Sequence, residues 1–166
     1  MHIVHVFDIA TKAWFAQPTT AQDGFYPSTR NSFCSVVGSA EDNSSHNIYI
    51  YAGWGFDDVE GVINDIYILT LPAFHWVKVY PIDKSDTNSR YTSDHECQKL
   101  YEKHMVVYGG ITDKTCDNAE GSKKFQRMMI YDMSSLKWTT TVELENQKYL
   151  VPEVLYKILG GKLVPT

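Results

Sequence analysis

Apolar and polar residues alternate along this chain in short runs, and the runs recur. Residues 47–53 are mostly β-branched or aromatic and end at Gly53; residues 104–110 are similar and end at Gly109 and Gly110. Period-two alternation bounded by turn residues predicts half-buried strands. Two complete sets of four such runs follow one another. The first predicts strands over 30–37, 47–53, 65–69 and 75–80, and the second over 95–101, 104–108, 126–131 and 137–142. Breaker-rich stretches separate them, including the turn 38–46 and the longer loops 54–64 and 111–124. An incomplete set comes first, with strands only over 3–7 and 13–17. Each set reads as an antiparallel meander, so the chain is predicted to be all-β.

A tryptophan stands at or near the start of the last strand of every set. These are Trp14, Trp76 and Trp138, separated by 62 residues at each step (76 − 14 and 138 − 76). A fixed period of this size marks a repeat architecture, in which each unit buries its faces against its neighbours. The expected organisation is 1–20 as the last two strands of an incomplete unit, 28–81 and 90–143 as complete units, and 147–161 as a tail. Apolar residues at 154, 155, 158 and 159 have helical spacing, with Pro152 before them and Gly160 and Gly161 after. They predict a short helix packing under the last unit.

Composition sharpens this picture only slightly. Eleven Tyr, seven Phe and four Trp among 166 residues favour strands. A net charge of −5 without a Lys/Arg cluster lacks the electrostatic footprint of a nucleic-acid binder. The longest apolar runs fall short of the roughly 20 residues that span a bilayer. Residues 1–7 are strand-like and carry no basic leader region, so the chain is expected to begin inside a fold.

Candidate chemistry is sparse. Cys34, Cys97 and Cys116 are read as small buried hydrophobes. If a bridge forms, Cys97–Cys116 is the expected pair, because both lie in the same unit. His95 and Cys97 share one face of a strand, but a metal site needs three or four ligands and no second pair has matching spacing. Both are read as structural. His2 and His5 are three apart and face opposite ways. The acidic loop residues lack the spacing of a calcium loop and read as solvated charge. No Ser/His/Asp motif is present, and no metal or cofactor is expected. Asn43-Ser44-Ser45 forms an N-glycosylation sequon in a predicted hairpin turn.

A hydrophobic strand running into Gly-Gly, an Asp/Tyr-rich strand, and a Trp opening the outer strand together resemble the kelch repeat. Here they are residues 105–110, 128–132 and Trp138, and in the middle unit residues 48–53, 65–69 and Trp76. The middle unit departs at Trp54, where the second Gly is expected. Residues 47–51, 69–81, 94–97, 116–117 and 149–152, with Gly160 and Gly161, are most similar to fungal kelch-repeat proteins of the galactose-oxidase-like superfamily.

The resemblance implies a partial β-propeller of about two and a half four-stranded blades with a short C-terminal helix. Gly53, Gly109 and Gly110 would allow close backbone approach near the axis, and Trp76 and Trp138 would fill the gaps between blades. A ring usually needs four to eight blades, so the remaining blades of a larger propeller are expected partners. The resemblance also implies an extracellular or membrane-anchored parent protein. It points to a non-catalytic module that binds a protein or a glycan. The alternatives are a fragment of a copper-radical oxidase of the same superfamily, whose two-Tyr, two-His site no stretch here matches, or a truncated product. Long loops on a rigid scaffold usually carry recognition. The expected binding residues are therefore Trp54 and Phe56 as apolar anchors, beside Asp57, Asp58, Asp113 and Asp117. The other reading of Trp54 is packing at the propeller axis.

Overall fold

The computed structural model describes residues 1–56, 61–81, 92–111, 128–142, 145 and 148–160. Within them, β1 (Ile3–Asp8) and β2 (Ala13–Pro18) form a two-stranded antiparallel sheet. A short β3 (Thr20–Ala21) then runs parallel to the outer edge of the second sheet. That sheet contains β4 (Arg30–Asn31), β5 (Cys34–Ser39), β6 (His46–Gly55), β7 (Gly61–Leu71) and β8 (His75–Tyr80). The third is a four-stranded meander of β9 (Ser93–Leu100), β10 (His104–Ile111), β11 (Met129–Asp132) and β12 (Lys137–Thr139). One helix, α1 (Glu153–Leu159), follows. This is the all-β architecture that the alternation predicts, and it is consistent with the partial propeller that the resemblance implies.

The second sheet stacks between the other two because its central strands β6, β7 and β8 are apolar on both faces. In the second sheet Ile50, Tyr67, Leu69 and Trp76 face the first, packing with Met1 and Val4. Its opposite face presents Tyr49, Tyr51, Ile66, Ile68, Val77 and Val79 to Met105, Val107, Met129 and Tyr131 of the third. Tight turns set the register. Asp8 accepts hydrogen bonds from the amides of Ala10 and Thr11, and Asp132 repeats this with Ser134 and Ser135. These Asx turns close equivalent hairpins of the first and third sheets.

The innermost strands β5 and β9 lie side by side, and Cys34 and Cys97 form a disulfide between them, with Cα atoms 5.5 Å apart. Both residues are buried as expected, but the bridge corrects the rest of the cysteine reading. Neither residue is a free buried thiol, and Cys97 does not pair with Cys116, which lies outside the described residues. Sequence proximity favoured a pair within one unit, whereas stacking places the partner in the preceding one.

Backbone hydrogen bonds add to this seam: Gly53 donates to Thr92, and Asp94 donates to Ser32. A Cβ on Gly53 would lie 2.9 Å from Phe33 Cβ, and one on Gly110 would lie 2.9 Å from His95 Cβ. Phe33 and His95 are themselves one period apart (95 − 33 = 62). Gly53 is thus the counterpart of Gly110, and Ala52, at φ 56°, that of Gly109, at φ 74°. The middle blade therefore departs from Gly-Gly at Ala52, not at Trp54.

Two further expectations change. The strand expected over 30–37 is broken at Ser32, whose φ is 52°. At both ends of the loop expected over 54–64 the described residues are strand, because Trp54 pairs with Val62 and Gly55 with Gly61. Residues 112–127 lie outside the description.

Helix α1 ends as expected at a left-handed Gly160, whose amide donates to the Tyr156 carbonyl at 3.0 Å. It packs beneath the seam between the second and third sheets rather than under the third alone. Leu155 is buried there with residues of both. Just upstream, the Tyr149 hydroxyl lies 3.0 Å from that of Tyr49, which donates to the Met133 carbonyl at 2.7 Å. The Tyr149 ring covers Gly38 so closely that a Cβ there would overlap it, 2.5 Å from Cε2.

Candidate binding face

The β6–β7 connection leaves the middle blade at the end opposite the β5–β6 and β7–β8 turns, as the pairing of Ser39 with His46 and His46 with Leu71 requires. The end of β10 emerges on the same side, since β10 pairs with β9 as β6 pairs with β5. Of the residues expected to bind, Trp54 and Phe56 lie on this side. Trp54 is half-buried in β6 and flanked by Asn31 and Val62. Phe56 is 41% exposed, its amide tied to the Thr29 carbonyl at 3.0 Å. Asp57, Asp58, Asp113 and Asp117 lie outside the described residues. Gly109 and Gly110 stand just before the end of β10 at Ile111, and Gly53, the counterpart of Gly110, just before the end of β6 at Gly55. Trp76 is buried against the first sheet and donates from Nε1 to the Met1 carbonyl at 3.1 Å. Trp138 is half-buried, edge-on to Tyr51, Tyr80 and Tyr131.

Beneath the rim is an ion pair that the sequence did not suggest. The Arg30 side chain is fully buried and meets both carboxylate oxygens of Asp65. It also donates to the Ala52 carbonyl and to the backbone and hydroxyl oxygens of Ser28. The guanidinium lies 5.8 Å from the Tyr67 ring centre. A buried guanidinium needs this many partners, and they fix β4, β6 and β7 together. The repeat pattern hides the pair, because Thr92 stands one period after Arg30.

The site's titratable groups are set for structure. Burial, reinforced by the Asp65 carboxylate and opposed by Arg30, pushes the Tyr67 hydroxyl up to about 12. Burial pushes His95 down to about 4, against a smaller upward pull from the Tyr51 carbonyl and Asp94. Tyr67 stays protonated and His95 neutral at pH 7. Cys34, His95 and Cys97 bring three ligand atoms within 4.8 Å of one another, the one such group among the described residues. The spacing of His95 and Cys97 showed two of these three. Cys34 completes the set only through stacking, and with both sulfurs in the disulfide the group offers a single imidazole. The arrangement can present aromatic and polar surface to a partner.

No protein-family model matches the chain. It is similar to a kelch repeat-containing protein of Arthroderma benhamiae, 28% identical over 186 residues that cover 97% of this chain and 26% of that protein. The similarity supports a kelch-repeat reading of the chain, and with the stacked meanders it fits a partial kelch-type propeller. The chain spans about a quarter of the length of the relative it matches.

Proposed function

We propose that this chain is a non-catalytic kelch-propeller segment that binds a protein or glycan partner through the rim carrying Trp54 and Phe56. Its uncovered sheet faces, at Trp14 and at Tyr108, pack against further blades. The observation that carries the reading is the division of labour among aromatic residues. Those of the sheet faces between blades are committed to packing, whereas Phe56 stands 41% exposed beside a half-buried Trp54 at the end of a rigid blade. Aromatic anchors at such positions tend to dominate binding energy.

The test compares wild-type protein with Trp54→Ala and Phe56→Ala on a glycan array and by proximity labelling in cells. Loss of the wild-type partner by about 2 kcal/mol or more, with an unchanged Tm, supports the reading. An unchanged partner set in both variants, with a lowered Tm for Trp54→Ala, assigns Trp54 to packing and rejects it.

A further inference from the structure

The β5–β6 hairpin turn lies at the end of the middle blade away from the proposed binding rim. Its backbone closes on itself: Asn43 donates to the Ala40 carbonyl at 2.9 Å, Ala40 donates to Ser45 at 3.0 Å, and Ser44 donates to Asp42 Oδ1 at 2.9 Å. Asn43 sits in this turn at φ 56° with an exposed side chain. None of these bonds uses its carboxamide, which projects into solvent. It opens the triplet Asn43-Ser44-Ser45, the acceptor pattern for N-linked sugar.

A second, independent observation concerns the compartment. The Cys34–Cys97 disulfide joins strands of two blades. Such bonds form and persist in oxidising compartments, and these include the secretory lumen where sequons are modified. The turn also has room. A trough of about 220 Å³ beside it is lined mostly by apolar side chains, Leu71 and Leu155 among them, with the polar groups of Ser44, Ser45, Asn47 and Thr70 at its edge. That mixture suits the polar edges and apolar faces of a sugar.

We propose that Asn43 carries an N-linked oligosaccharide. In the transfer, the Asn43 carboxamide nitrogen bonds to the anomeric carbon of a lipid-pyrophosphate-linked oligosaccharide held by an oligosaccharyl transferase. The anomeric carbon–oxygen bond breaks, the lipid pyrophosphate leaves, and the amide proton passes to a base of the transferase. The sugar then lies along the trough beside α1 and leaves the Trp54–Phe56 rim open.

The native gene product, purified from its own cells, tests this directly. Peptide N-glycosidase in heavy-oxygen water is expected to convert Asn43 to an aspartate carrying the heavy label. Asn43→Gln and Ser45→Ala, expressed in the same cells, are expected to lose one glycan's mass, and Ser45→Thr to keep it. Recovery of the Asn43 peptide from native product as unmodified asparagine would overturn the proposal, whatever the variants do.

Discussion

Trp14 and Trp76 hold the same place in the repeat, yet Trp14 is 69% exposed and Trp76 only 3%. Both stand next to the start of the outer strand of their sheet, and both pair with an apolar residue across it, Phe7 for Trp14 and Leu69 for Trp76. What differs is the neighbour. Trp76 packs on Met1 and Val4 of the preceding sheet, whereas Trp14 has Phe7 at a ring distance of 5.1 Å and solvent beyond. Tyr51 and Tyr108 make the same contrast at the other end: Tyr51 is sealed against the third sheet and Tyr108 is 62% exposed. Burial in this fold is thus a property of stacking, not of the residue or its strand.

The largest effect expected from that contrast is at the two tryptophans. Trp76→Ala removes a packed indole and its hydrogen bond and should cost about 3–5 kcal/mol in denaturant unfolding. Trp14→Ala should cost less than about 1 kcal/mol in the isolated chain. Equal losses would break the comparison.

The seam that seals Tyr51 also holds the Cys34–Cys97 disulfide. Its cysteines are 63 residues apart, a loop length at which closing the loop contributes roughly 4 kcal/mol. Cys34→Ser and Cys97→Ser should lower the Tm alike and remove the wild-type protein's sensitivity to reductant. Full retention of stability in both variants would separate the seam from the disulfide.

Acid should weaken the same seam through His95. Its pKa is about 4 folded against 6.5 for the ordinary group, so between those pH values the unfolded chain binds a proton that the folded chain refuses. The contribution is fully present above about pH 6.5 and falls by as much as about 3 kcal/mol as pH drops to 4. His95→Gln should flatten that part of the stability profile, and an unchanged acid slope would remove His95 from the account. The smallest effect concerns Ala52, held at φ 56° where the third blade has Gly109. Ala52→Gly should stabilise by about 0.5 kcal/mol if the two positions are equivalent.

The contrast also explains what was legible in the sequence. Alternation and the tryptophan period report which residues share a face and how often a blade recurs, so the three sheets and the helix at 153–159 could be read directly. Contacts between blades leave no local trace. Cys34 lies one blade away from Cys97, and the Tyr149 ring that covers Gly38 comes from the tail. Arg30 and Asp65 meet only because β4 and β7 flank β6. The β6–β7 segment reads as a loop in sequence because its glycines, aspartates and asparagine imitate one. The rim aromatics Trp54 and Phe56 could be singled out by position, but their different exposures depend on the cross-strand partners of Trp54.

Hydroxyl-radical footprinting tests the central claim most directly, with the isolated 166-residue chain set beside the native gene product from its own cells. In the isolated chain, Trp14 and Tyr108 are expected to oxidise readily while Trp76 and Tyr51 do not. In the native product, Trp14 and Tyr108 should become protected by neighbouring blades while Phe56 stays reactive. Labelling of Trp14 and Tyr108 as strong in the native product as in the isolated chain would contradict the account.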